Sequence, residues 1–338
     1  MFTITTRNLS VSLFDYTTDK PAIFARAGSC LFEVCQLPRR ILHSVLLCIQ
    51  PLDEMADYSS RKLKRVIGGE AQDENGDFLI SQAHHMAYND GKLYASEMLS
   101  HRVRVFEAAD GKFVQNIGEL GSFDGEFNVP AGIASLGDKL VVCDLNNCRL
   151  ETFKFNGEFL SEIGSEGDGP NNFGNPNSIC VDPKSKDVFV AEATNQRVQI
   201  FDKDFNHKSF IKSRGSEFKS CNHVSFDSVN NRVIITDAEG SDVSLFDPAT
   251  GAVVCSLQGD ADEFIGAAKA VADSAGNILV CEMGQNQVMV FDKDGKKIGK
   301  FAAEHEFSYP EDIAFGPNGE IFILEGNLFS GWSKISIF

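Results

Sequence analysis

The chain has 338 residues, 43% of them apolar, with 31 basic and 48 acidic side chains and a net charge of −17. A chain of this size can bury a core without staples, and a charge this negative repels phosphate backbones and anionic lipid unless its cations gather in one patch. The nine cysteines are odd in number and form no C-x-x-C pair; this argues against a disulfide framework or a zinc finger and for reduced thiols in a cytoplasmic protein.

Residues 1–60 lack the repeat that governs the rest. They hold 5 basic and 6 acidic side chains, leaving 26 and 42 for residues 61–338. The apolar stretch Ile41–Ile49 is too short to span a membrane and lies too deep in the chain for a secretory signal. The pair Arg39-Arg40 before it would suit a weak interfacial helix, and the single sequon, Asn8-Leu-Ser10, lies in the same region. An irregular extension, poorly ordered or partly docked on the outside of the fold that follows, is expected here, with no membrane association.

From there six phenylalanines set the frame. Phe106, Phe153, Phe201, Phe246, Phe291 and Phe338 follow at intervals of 47, 48, 45, 45 and 47 residues, and an acid stands nine positions before each of the first five: Glu97, Asp144, Glu192, Asp237 and Glu282. A second ladder, Phe127, Phe173, Phe218, Phe264 and Phe307, keeps step with it. A period of this length means one supersecondary unit repeated around an axis. Each unit divides into four short runs. In the third they are Ser178–Asp182, Val188–Ala191, Arg197–Phe201 and Lys208–Ile211, separated by polar turns. These are four antiparallel strands, a to d, of a propeller blade. Strand b reads as a continuous apolar run in every unit, as suits a strand covered on both faces. The turn before strand d carries Gly111, Gly157, Gly251 and Gly295, where a tight hairpin needs positive φ.

The sixth unit ends at Phe338 without a strand d. Leu63-Lys64-Arg65-Val66-Ile67-Gly68-Gly69 matches the strand-d segments Phe113–Gly118 and Phe159–Gly164. It is predicted to pair into the last blade and close the ring, protecting sheet edges that an open array exposes. The fold class is therefore all-β: a six-bladed β-propeller over residues 61–338, closed by an N-terminal strand.

Glu192-Ala-Thr-Asn195-Gln196-Arg197-Val198-Gln199-Ile200-Phe201, preceded by Pro176, resembles the NHL-repeat family, and so does Pro130-Ala-Gly132-Ile133 with Asp144-Leu-Asn-Asn147-Cys-Arg149-Leu150. The resemblance covers roughly Arg61 to Phe338. Blade four departs with Gly240-Ser-Asp242 at the b–c turn. Blade six has Glu325 thirteen rather than nine residues before Phe338, an insertion placed at Asn327 to Trp332. The resemblance implies a scaffold that binds macromolecules, often as the substrate-recruiting end of a RING ubiquitin ligase, although this chain has no RING-type cysteine and histidine array.

Three constellations are candidate sites. Arg102, Arg149 and Arg197 stand five residues after the repeated acids. With Asn147, Asn195 and His101 they offer a binding face for RNA phosphates or an acidic peptide; alternatively, each arginine pairs with its own blade's acid and pins the turn. Alignment of the blades places His84/His85, Ala131/Gly132, Asn177/Ser178, Asn222/His223, Ala268/Lys269 and Glu311/Asp312 at the start of the inner strand. The channel mouth is thus lined by His85, His223, Lys269 and Asp312. Two imidazoles and a carboxylate can hold a divalent ion, and the amidating lyase, a propeller similar to NHL repeats, uses channel histidines for zinc. Here His85, His223 and Asp312 are the candidate set, but no third histidine or general base accompanies them. A solvated polar channel, wide enough to keep opposite side chains apart, with no metal and no cofactor, is expected. Calcium of the lactonase type would need acids converging on the channel, and the repeated acids are spread around the ring. The reading is a monomeric, non-catalytic propeller that binds a protein partner, with RNA binding as the alternative and a channel-metal lyase or lactonase as the second.

Overall fold

The computed structural model describes residues 58–69, 79–212, 218–237, 239, 242–257, 264, 266–326 and 331–338, and the backbone of four strands before them. Contacts divide the chain into Met1–Asp57 and Tyr58–Phe338. In the first unit, strands Phe2–Thr5, Leu9–Leu13, Ile23–Ala27 and Cys30–Val34 pair in sequence order as an antiparallel sheet. These strands were not expected in the N-terminal extension. The stretch Ile41–Ile49, the pair Arg39-Arg40, Asn8, Gly240-Ser241 and residues 327–330 of the blade-six insertion lie outside the described residues.

The second unit is the six-bladed propeller. Five blades are four-stranded antiparallel sheets with strands in sequence order, their inner strands being Ala83–Asn89, Pro130–Leu136, Pro176–Val181, Cys221–Asp227 and Ala267–Ala272. The sixth joins Pro310–Phe315, Ile321–Gly326 and Ser333–Ile337 to Arg65–Gly68 from the start of the unit, with Ile335 opposite Ile67 and Ser336 opposite Val66. The ring is closed as the register match requires. In blade six Glu325 faces Lys334, where blade one has Glu97 facing Arg102; the b–c connection is longer by four residues.

The core lies between blades. Among the described residues six clusters of buried apolar side chains fill the six seams. All six residues of the first phenylalanine ladder are buried. Each second-ladder ring packs on the first-ladder ring of the following blade: Phe127 on Phe153 at 5.5 Å, Phe173 on Phe201 at 5.9 Å, Phe218 on Phe246 at 5.7 Å, Phe264 on Phe291 at 5.8 Å and Phe307 on Phe338 at 5.8 Å between centroids. Such pairs add to the burial energy of the rings themselves. The ladder needs glycine behind it. A side-chain carbon at Gly118 would lie 2.3 Å from Phe127, and one at Gly164 would lie 2.3 Å from Phe173. At the closing seam Gly68 stands against Ile80, which takes the ladder position and shares a cluster with Phe106.

Tyr58 opens the propeller with a short 3-10 turn, Tyr58–Ser60. Its ring is buried among Phe301, Phe307 and Phe338, its hydroxyl donates to Asp273, and its carbonyl accepts from the Ala302 amide at 2.7 Å. No helix among the described residues is long and apolar enough to cross a membrane.

Candidate binding site at the channel mouth

The b–c turns and the d–a connections emerge at one end of the propeller. The repeated acids organise this end. Glu97 accepts from the Ser81 amide at 2.7 Å, Asp144 from Asn128 at 2.7 Å, Glu192 from Gly174 at 2.9 Å, Asp237 from Lys219 at 2.7 Å and Glu325 from Ser308 at 2.8 Å. In these five blades the acid at the end of strand b holds the connection that enters strand a. A buried carboxylate needs such donors.

The arginines complete these locks. Arg102 reaches Glu97 at 2.6 Å, Arg149 reaches Asp144 at 3.0 Å and Arg197 reaches Glu192 at 2.7 Å. Arg149 also donates to the Phe123 and Glu126 carbonyls and pairs with Glu151 and Glu162. Arg197 donates to the Asp168, Gly169 and Asn172 carbonyls and lies 4.2 Å from the centre of the Phe210 ring. Asn147 and Asn195 donate to the same acids and to the Gly121 and Gly167 carbonyls. His101 accepts from the Val129 amide at 3.1 Å. These contacts agree with the turn-pinning reading of the set: Arg149 and Arg197 are buried with their forks turned onto their own connections. Arg102 is the more open of the three.

The channel ring converges. Each inner strand begins with an irregularity in its register, between Ala83 and His85, Cys221 and His223, Ala267 and Ala270, and Pro310 and Asp312 among others. Bulges of this kind re-aim side chains. The His85 and His223 rings lie 4.9 Å apart between centroids, although their blades are opposite. The channel is therefore narrower here than expected. Small residues allow the inner strands to close in: a side-chain carbon at Gly132 would lie 2.6 Å from the Ser178 α-carbon. Asp312 is fully buried, accepts from the Met86 amide at 2.8 Å, and has the Lys269 ammonium at 3.3 Å and His85 Nδ1 at 3.6 Å. Burial raises its carboxyl, but Lys269, His85 and the Met86 amide outweigh that and hold it at about 2. Burial lowers His85 against the pull of Asp312; burial, His85 and Lys269 hold His223 well below the ordinary imidazole value. Both rings are neutral near pH 7.

This set does not fit a zinc ion. Lys269 is ion-paired with the only carboxylate in the trio, and no group of three His, Cys, Asp or Glu among the described residues is arranged to hold a metal. The cysteines Cys143, Cys180 and Cys281 are free and their thiols are raised by burial.

Beside the channel the residues His84 and Glu311, left unpaired by the bulges of blades one and six, meet with Nδ1 3.4 Å from Oε2. They line a pocket of about 140 Å³ with Gln82, Met98, Leu99 and Trp332. Alignment had placed His84 and Glu311 in the inner ring; Trp332, in the blade-six insertion, carried no signal because its position depends on a connection outside the repeat. The surrounding end is acidic. Among the described residues of the d–a connections, seven Asp and Glu stand against one Lys, Lys219. It is also apolar at its tips: Phe123 is 78% exposed, and Leu99 and Leu120 are each 64% exposed.

Fold and site together define a six-bladed β-propeller whose turns resemble those of NHL repeats. A family model described as a 6-bladed beta-propeller matches residues 130–193. The chain is 28% identical over 134 residues to Protein brain tumor of Drosophila melanogaster, covering 38% of this chain and 12% of that protein. It is 29% identical over 137 residues to a probable peptidyl-alpha-hydroxyglycine alpha-amidating lyase of Caenorhabditis elegans, covering 38% of this chain and 39% of that one. It thus spans well under half the length of either curated relative. Among solved structures, a Bacteroides thetaiotaomicron protein of unknown function superposes with a TM-score of 0.62 at 12% identity, covering 98% of this chain and 91% of the other. Inactive virginiamycin B lyase from Staphylococcus aureus, with quinupristin, gives 0.57 at 13% identity, covering 77% and 82%. At these identities the structures attest the fold alone.

Proposed function

We propose that this propeller is a non-catalytic, monomeric binding module of the cytoplasm whose partner is a protein docked on the b–c and d–a end. One observation carries the reading: the three most exposed large apolar side chains among the described residues, Phe123, Leu99 and Leu120, all belong to this end. Exposed apolar side chains grouped within a polar rim mark interaction surfaces. The acidic connections favour a basic polypeptide and disfavour RNA, whose phosphates they repel. The likeness to Protein brain tumor agrees with a binding role. Recruitment of substrates for a separate ubiquitin ligase is the pathway-level form of this reading, implied by the NHL resemblance.

The test is quantitative capture from the native cell, with and without nuclease, using the wild-type chain and a Leu99→Ser, Leu120→Ser, Phe123→Ser variant. Nuclease-resistant protein partners that the variant loses are expected. Partners retained by the variant, or partners removed by nuclease, overturn the reading.

A further inference from the structure

The pocket beside the channel presents a carboxylate oxygen without a donor. Glu311 is 4% exposed, and its Oε2 has no hydrogen-bond partner. His84 Nδ1 lies 3.4 Å away, but desolvation and then the neighbouring His85 lower His84 to about 4, so the ring brings no charge near pH 7. The nearby cations are committed elsewhere: Lys269 to Asp312 at 3.3 Å and Lys334 to Glu325 at 3.2 Å. A carboxylate left in this state is costly to ionise. Burial and then Asp312 push Glu311 up to about 8.

The pocket selects what can supply the missing partner. Its walls include Met98, Leu99 and Trp332, which suit an aliphatic stem, and an indole attracts a cation. Glu311 Oε1 lies against Gly326, where a side-chain carbon would stand 2.7 Å from it. Only Oε2 is open. A single oxygen suits the compact ammonium of lysine, whereas a guanidinium fork seeks two. The opening lies on the end whose connections are strongly acidic.

We infer that this pocket receives a lysine side chain of the protein partner, with its ammonium on Glu311 Oε2 and its stem against Trp332 and Leu99. The inference rests on the protein-binding reading and names the anchor of that interface. Docking would replace the proton on Glu311 by the ammonium, so affinity should rise with pH as far as about 8. The other titratable groups around Glu311 are His84, Asp312 with its partners His85 and Lys269, and Glu325 with Lys334 and His305.

Trp332 is the only tryptophan in the chain, so its fluorescence reports the pocket directly. The full chain is titrated with n-butylammonium, with 1-butanol as the neutral control and butylguanidinium as the fork-shaped one, at constant ionic strength. A saturable change with n-butylammonium is expected, with weaker response to butylguanidinium and none to 1-butanol. Binding should weaken about tenfold or more in Glu311→Gln, as expected for loss of a charge-assisted bond in a desolvated site. Equal response to 1-butanol, undiminished binding by a folded Glu311→Gln chain, or no saturable change overturns the inference. Should that variant not fold, the wild-type chain decides: affinity that does not increase between pH 6 and pH 9 overturns it. Partner capture by the wild-type chain without ammonium binding defeats the lysine anchor alone, and ammonium binding by a wild-type chain that captures no protein partner defeats the wider reading.

Discussion

Ile335 and Ile67 face each other across the ladder that joins the last blade to the first strand of the propeller. The strand around Ile67 also reaches the first blade, because the Arg65 guanidinium donates to the Ala108 and Ala109 carbonyls. A chain beginning at Tyr58 keeps this strand, and a chain beginning at Glu70 lacks it. The shorter chain should be less stable by about 3 kcal/mol or more and prone to edge-to-edge association. Urea unfolding with matched transitions for the two chains would contradict this closure.

The turn locks make a graded prediction. Glu192 is buried, and Arg197, 3% exposed, is its guanidinium partner. Arg197→Ala leaves that carboxylate without its cation and should cost about 3–5 kcal/mol. Arg102→Ala should cost about 1 kcal/mol, since that side chain is partly open and Arg104 remains 3.8 Å from Glu97. Equal effects in urea would show that burial does not set the strength of these locks. Single-stranded RNA should not bind appreciably near physiological salt; submicromolar, steeply salt-dependent binding would reverse the ranking of partner classes.

Tyr58 gives a third test. Its ring fills the seam between blades five and six and its hydroxyl donates to Asp273. Tyr58→Ala should cost about 3 kcal/mol through the cavity, and Tyr58→Phe about 1 kcal/mol through the lost hydrogen bond. A Tyr58→Ala chain that melts with the wild type would remove this residue from the propeller's core.

The frame was legible because a buried ring at one place in each blade leaves a fixed interval between phenylalanines. Ile80 was hidden by the same logic: it takes the ladder position of the first blade without being aromatic, and only its packing with Phe106 and Gly68 reveals it. The spacing of acid and arginine identified the ion pairs. Whether Arg149 and Arg197 remained open to a ligand depended on carbonyls more than 20 residues away in sequence, such as Glu126 and Asn172. The pocket was the least legible feature. His84 and Glu311 come together only because blades one and six adjoin after closure, and Trp332 arrives from an insertion that breaks the repeat.

The buried carboxyl of Glu311 predicts a pH-dependent cost to stability. Its folded value is raised to about 8 from an ordinary value of 4.5, so the folded chain binds more protons than the unfolded chain between these two pH values. Its contribution therefore becomes less favourable as pH rises from 4.5 to 8, and stays so above that. The groups around it act with the opposite sign. His84, His85 and His223 are lowered from 6.5, so their contribution weakens as pH falls below 6.5, and Asp312, held at about 2 from 3.8, loses its contribution as pH falls through that interval. Replacing glutamate by glutamine removes only the first effect. Glu311→Gln should match the wild type in stability near pH 5 and exceed it by roughly 2 kcal/mol at pH 9. Urea unfolding of both chains across this range measures the gap. A gap that stays constant, or that widens toward acid, would mean that Glu311 is ionised in the folded protein and already has a partner.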